Sequence, residues 1–284
     1  MQTIIVTGAT SGIGLETARL LAQHGMRVIG VGRTEAHCAQ AKQSILSSVP
    51  DAPIHFYAAD LMQRREVLRL GALLAHDLEE NSGGRFFALI NNAGCARSWY
   101  RTTEDGYEQQ FALNHLAGFL LTYTLLPFLL HAGGRVIMTG SQSHKGAKVY
   151  WQDVMLSRNY HPLRAYKQSK LCNLLFAQAL NDRYAAHGIR AYVVDPGLVN
   201  TDIGTKEQGI VRFAWRFRKP FSVPPAIPAQ TFDFLCRAQE HPPGLYYALC
   251  REKPYSSAVG KEQAERLFIL SEQLCGITYG EVRA

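Results

Sequence analysis

No C-x-x-C pair occurs in this chain, although it carries six cysteines in 284 residues. Cys38, Cys95, Cys172, Cys236, Cys250 and Cys275 stand too far apart to read as a zinc site or a disulfide framework, and are expected to be reduced and structural. Charge is sparse, 19% of residues against 47% hydrophobic, and no low-complexity tract or long polar run occurs, which excludes a mainly disordered chain. Runs of about eighteen apolar residues are also missing, so no membrane span is expected. The first strand-like run begins at Thr3, too early for the basic and apolar regions of a signal peptide, and the expected location is cytoplasmic. The net charge of +7 suits an anionic ligand or surface, but nothing in the pattern points to nucleic acid.

Short apolar runs do recur, separated by helix-length segments: 4–6, 27–31, 54–59, 86–90, 135–138, 189–194 and 245–249. Seven such runs predict one α/β domain over residues 1–284, with a seven-stranded, mostly parallel sheet and helices on both faces. The first helix is expected to end at Gly25, and a longer one to run from Tyr107 to His131 with Pro127 ending or kinking it. No segment rich in Pro, Gly or Ser divides the chain; the least regular region is Thr205 to Pro228.

Directly after the first run comes TGATSGIG at 7–14, with Gly8, Gly12 and Gly14 before a predicted helix. In the doubly wound (Rossmann) fold such a turn brings backbone N–H groups and a helix N-terminus to a pyrophosphate, and side chains there would hold the anion away. The spacing G-x-x-x-G-x-G is not the general dinucleotide fingerprint. A tight connection with no ligand remains the alternative.

With Asp60-Leu61, NNAG at 91–94, Asn114, Ser141, YKQSK at 166–170 and PGLVNT at 196–201, the chain resembles the short-chain dehydrogenase/reductase family over nearly its whole length. Within it, residues 103–122, SHKG at 143–146, 165–173 and 264–277 are most similar to retinol-dehydrogenase-like enzymes and, less closely, to protochlorophyllide reductases. The N-terminal membrane anchor usual in the former is not expected here, and the longer insertion that the latter carry before the tyrosine is missing.

The resemblance implies hydride transfer between a nicotinamide and a carbonyl or carbinol carbon, with Asn114, Ser141, Tyr166 and Lys170 as the catalytic set. Tyr166 is the general acid in reduction and the base in oxidation, Lys170 also holds the nicotinamide ribose, Ser141 bonds the substrate oxygen, and Asn114 supports Lys170. Ser143 competes with Ser141 for its role. Tyr166 and Lys170 share a helix face at i, i+4. A tyrosine working near neutrality needs its pKa lowered by about 3 units, roughly 4 kcal/mol. A lysine ammonium about 4.5 Å away supplies about 3.7 kcal/mol at an effective dielectric of about 20.

For the cofactor the expected contacts are Gly8, Thr10, Ser11, Gly12, Ile13 and Gly14, then Arg33, Asp60, Leu61, Asn92, Ala93 and Gly94, and finally Tyr166, Lys170, Pro196, Gly197, Val199 and Thr201. The alternative for Asp60 is a helix N-cap, and for Asn91 and Asn92 bracing of the sheet. NADP(H) is expected over NAD(H), because Gly32 and Arg33 stand where an NAD enzyme places an acid, while Glu35 reads as the first turn of a helix. No basic residue occupies the glycine turn.

An inserted loop is expected over the site at 148–163, and a substrate lid at 204–228. In the lid Phe213, Trp215 and Phe217 form an apolar wall, with core packing as the alternative; the interleaved arginines suit peripheral contact with a membrane surface. The expected substrate is a bulky apolar alcohol or ketone such as a steroid, retinoid or lipid-like carbonyl. Reduction of a C=C bond and a catalytically silent dinucleotide-binding regulator are the competing functions. Family habit implies a homo-oligomer.

Overall fold

The computed structural model describes residues 1–199 and 222–280. Its sheet is built from β1 (Thr3–Thr7), β2 (Arg27–Gly32), β3 (Ile54–Ala58), β4 (Ala88–Asn91), β5 (Arg135–Thr139), β6 (Arg190–Val194), β7 (Tyr246–Ala248) and β8 (Arg251–Glu252), in the spatial order β3-β2-β1-β4-β5-β6-β7-β8. The first seven are parallel, as expected; β8 is an eighth strand, antiparallel to β7. It holds only two exposed residues, Arg251 and Glu252, and so has no apolar run to announce it.

Alternation along β1 splits the core in two. Ile4 and Val6 face α1 (Gly12–Gln23), α2 (Glu35–Leu46) and Phe232 and Leu235 of α7 (Ala226–Arg237). Ile5 faces the other layer, made by α3 (Arg64–Ser82), α5 (Ala117–Ala132), α6 (Pro162–Tyr184) and α8 (Lys261–Cys275). In that layer Phe119 of α5, Phe176 of α6, Phe268 of α8 and Tyr279 form a ring cluster with centroids 4.7 to 6.1 Å apart, which fixes α8 against the helix that carries YKQSK.

The long helix predicted from Tyr107 is three pieces: α4 (Gln109–Phe111), a π-helical turn over Ala112–Leu116, and α5. It starts where the buried Glu108 carboxylate accepts from the Phe111 amide at 2.7 Å. Pro127 neither ends nor interrupts α5, which continues to Ala132. Pro127 lies on the exposed face, where water can satisfy the carbonyl that loses its amide partner. Residues 109–132 are, against expectation, apolar and long enough to cross a membrane (mean hydropathy 1.5), but 67% of that window is buried inside this fold. At the other boundary, Pro162 and Leu163 belong to α6 rather than to the predicted loop, because proline suits the first turn of a helix.

Candidate active site

The C-terminal ends of β1, β4 and β5 bring the motifs together. Thr7 closes β1, and its hydroxyl accepts from the Asn92 and Ala93 amides, both at 3.0 Å. The Asn92 side chain donates back to the Thr7 carbonyl at 3.1 Å and the Gly8 carbonyl at 3.4 Å. Asn92 therefore braces the glycine turn, while Asn91 donates to Thr122 at 3.3 Å on the helical side. The turn leaves no room for side chains. Gly8 has φ +66°, and a Cβ on Gly14 would stand 2.2 Å from the Gly8 carbonyl oxygen.

Helix α1 begins there without a side-chain cap from Ser11 and without an acidic residue in its first turn, and Ile13 is buried behind it. Unclaimed N-terminal amides over a glycine cradle fit the pyrophosphate of a dinucleotide. At the end of β2, Arg33 is exposed, and Thr34 caps α2 by accepting from the His37 amide at 3.4 Å, so Glu35 is a first-turn residue as expected. Asp60 does not cap α3, whose N-cap is Gln63; its carboxylate accepts from the Met62 amide at 3.1 Å beside the buried Leu61.

Tyr166 and Lys170 lie on α6, with the Lys170 Nζ 5.6 Å from the Tyr166 ring centre. Lys170 is buried and donates to the Thr139 carbonyl at 3.0 Å; Asn173, one turn on, donates to the same oxygen at 3.1 Å. Ser141 follows β5, with its side chain beside the Tyr166 hydroxyl and lowering that hydroxyl's pKa. The Ser141 hydroxyl accepts from the Ser143 amide at 3.2 Å, which leaves the hydroxyl proton for another oxygen. Ser143 itself has a buried hydroxyl without a hydrogen-bond partner, so the structure brings Ser141, not Ser143, to the tyrosine.

Asn114, at the centre of the π turn, accepts from the Cys95 amide at 2.7 Å and donates to the Cys95 carbonyl at 3.0 Å and to Ser169 Oγ at 2.9 Å. Gly94 packs beside both Asn114 and Lys170: a Cβ there would lie 3.0 Å from Asn114 Oδ1 and 3.8 Å from Lys170 Nζ. The extra residue of a π turn re-aims one side chain, and here the turn directs the Asn114 amide at α6 and the NNAG loop. Sequence spacing does not reveal this, and the partner role of Ser169 carries no motif signal of its own.

Burial dominates the electrostatics. It pushes the Tyr166 hydroxyl up to about 12, against the pull of the Ser141 side chain, and brings Lys170 down to about 8. The lowered tyrosine pKa expected from the lysine is thus absent in the chain alone. The ammonium is directed to the Thr139 carbonyl, and at neutral pH Tyr166 is a protonated hydroxyl fit to donate.

Pro196, Gly197 and Val199 follow β6; the Gly197 amide donates to the buried Asp195 carboxylate at 2.9 Å, and Val199 is buried and bridges to Val223. Thr201, Phe213, Trp215 and Phe217, with most of the predicted lid, lie outside the described residues. In the predicted loop, Tyr150 and Val154 are held to Gln168 of α6 at 2.9 and 2.7 Å, and Tyr160 donates to Glu108 at 3.3 Å. No group of three or more metal-ligating side chains occurs among the described residues.

The profile of the short chain dehydrogenase family matches residues 2–209. Mouse retinol dehydrogenase 12 (Mus musculus) is 35% identical over 282 residues, covering 98% of this chain and 87% of that protein. Human polyprenol dehydrogenase (Homo sapiens) is 36% identical over 212 residues, 70% of this chain and 61% of that protein. Among solved structures, an uncharacterised protein from Mycobacterium paratuberculosis superposes with a TM-score of 0.77 at 28% identity, covering 99% of this chain and 95% of that one.

Proposed function

The chain belongs to the short-chain dehydrogenase family, an oxidoreductase family that binds a nicotinamide dinucleotide, and from that premise we propose an NADP(H)-dependent enzyme acting on a bulky apolar carbonyl or alcohol. The observation that carries the reading is the meeting of Ser141, Tyr166 and Lys170 at the end of β5. When bound, the nicotinamide supplies or accepts the hydride.

Every other part falls to the chain. The Gly8 to Gly14 turn and the bare start of α1 hold the pyrophosphate, with Asp60 and Leu61 toward the adenine. The Ser141 hydroxyl donates to the substrate oxygen and orients it. Tyr166 gives its phenolic proton to that oxygen as charge develops in reduction, and takes it back in oxidation. Lys170 keeps a positive charge beside the tyrosine and stabilises the phenolate left behind. Asn114 holds the NNAG loop and α6 in register.

NADP(H) over NAD(H) is supported at the end of β2. A carboxylate-bearing residue at position 32 would bring its Cβ within 2.3 Å of Thr10 Cγ2 and 2.6 Å of Cys38 Sγ, and Arg33 beside it offers a guanidinium suited to a 2′-phosphate. The apolar substrate class is supported by the relatives, whose names state retinol and polyprenol. Titration of NADPH and NADH, then NADPH oxidation with a panel of retinaldehyde, a polyprenal, ketosteroids, quinones and short aliphatic ketones, tests both parts. NADH binding as tight as NADPH contradicts the cofactor preference, and turnover confined to the short ketones contradicts the substrate class.

A further inference from the structure

SHKG at 143–146 has so far no role, yet its histidine is fully buried against the site. His144 Nδ1 lies 2.6 Å from the Ser141 carbonyl oxygen, and its Nε2 accepts from the Ser256 amide at 3.2 Å. A carbonyl accepts and an amide donates, so the ring must be neutral with its proton on Nδ1. Burial holds its pKa below the ordinary histidine value, consistent with that state. The ring stacks edge-on against Tyr246 of β7 at 4.9 Å, and its backbone amide gives the Ser141 carbonyl a second, weaker bond at 3.2 Å.

We propose that His144 is a positioning residue for hydride transfer, locking Ser141 at the end of β5 and using the Ser256 amide, in the link between β8 and α8, to fix the ring in the one tautomer able to do so. Ser141 is the first residue past a glycine, extended at φ −173° and ψ 149°, and its hydroxyl direction follows its backbone. Without the Nδ1 bond only the 3.2 Å amide contact restrains that carbonyl. The Ser256 end is itself ordered: its carbonyl accepts from Val259 at 3.1 Å and its hydroxyl from Ala258 at 3.2 Å, so the donor aimed at Nε2 sits in a formed turn.

The inference rests on the proposed role of Ser141, and Ser141→Ala run in parallel separates the two. His144→Asn keeps a short donor for the Ser141 carbonyl but cannot reach Ser256; His144→Gln reaches Ser256 but not with the same donor; His144→Phe keeps only the stacked ring. With the carbonyl compound that the wild type reduces fastest in the panel above, kcat is expected to fall at least about tenfold in the Phe and Gln variants and to recover within about threefold in the Asn variant, while NADPH affinity stays within about twofold. Hydrogen exchange of the Ser256 amide is expected to show the reverse order, protected in Gln and fast in Asn and Phe. Independently of any variant, 15N NMR of the wild-type protein is expected to show His144 protonated at Nδ1 alone. A proton on Nε2, or equal kcat in the three variants while Ser141→Ala is inactive, overturns the inference. An active Ser141→Ala protein overturns the site reading beneath it.

Discussion

The Asn114 side-chain amide donates to the Ser169 hydroxyl at 2.9 Å, joining the π turn to the catalytic helix one residue before Lys170. Ser169 passes the bond on to the Tyr166 carbonyl at 2.8 Å. Asn114→Ala removes the bonds to the Cys95 amide, the Cys95 carbonyl and Ser169 together, so it is expected to destabilise the fold by about 1–3 kcal/mol and to lower kcat at least about tenfold. Ser169→Ala removes two neutral bonds, the one from Asn114 and the one to the Tyr166 carbonyl, and is expected to cost about 1–2 kcal/mol with a smaller kinetic effect. Thermal unfolding and steady-state kinetics of the two variants check this; wild-type kcat in Asn114→Ala would refute the coupling.

Gly14→Ala is expected to weaken dinucleotide binding, because the new methyl would meet the backbone oxygen of Gly8 at 2.2 Å and the Asn92 side chain at 2.5 Å. Neither neighbour is free to yield, since Asn92 is bonded to Thr7 and Gly8. Titration with NADPH followed by protein fluorescence is expected to show affinity weakened at least about tenfold, together with a lower Tm. Unchanged affinity would mean the turn does not cradle the pyrophosphate.

The parts that could be read from the chain alone are those where one local pattern decides the structure. The inner parallel strands are buried on both faces and so appear as apolar runs, whereas β3, at the sheet edge, exposes His55. The eighth is two charged residues behind a tight turn in which Leu249 and Cys250 take φ +51° and +59°, and neither composition nor turn chemistry signals it. Pro127 looks like a helix breaker until its exposed position is known. The spacing of Tyr166 and Lys170 and the glycines of 8–14 point to the candidate site because the proposed chemistry fixes those intervals. His144 is legible only in part: its partner Ser256 lies 112 residues away, a separation that no local pattern spans. The lowered pKa of Lys170 is equally non-local, since it comes from the burial that the fold provides.

Lys170 gives a pH signature. Burial brings its pKa to about 8, so its positive charge is complete below that pH and is lost as pH rises through it. In the reductive direction, kcat/KM for NADPH, which reports the cofactor-free enzyme, is expected to decline above about pH 8. Lys170→Arg should be weaker throughout but without that decline. A wild-type profile flat to about pH 9.5 would contradict the assignment.

His115 gives a stability signature. It is fully buried, bonded through Nε2 to Ser271 at 2.9 Å, and burial brings its pKa down to about 3 from the ordinary 6.5. The unfolded chain takes up a proton below about 6.5 that the folded chain refuses, so its contribution is intact above that pH and is lost as pH falls toward 3. Stability is expected to drop by about 1.4 kcal/mol per pH unit from this group between about pH 6 and 4. Urea unfolding across that window should be shallower in pH for His115→Gln than for wild type; parallel slopes would show that the imidazole takes up its proton alike in the folded and unfolded states.

Tyr166→Phe removes one hydroxyl, the group proposed to give its proton to the substrate oxygen, and leaves the ring on α6. The decisive measurement is kcat of this variant, beside its NADPH dissociation constant, on a carbonyl compound that the wild-type enzyme reduces. The predicted result is a loss of at least about a hundredfold in kcat with NADPH affinity within about twofold. Retention of more than about a tenth of wild-type kcat would contradict the assignment of Tyr166 as the proton donor.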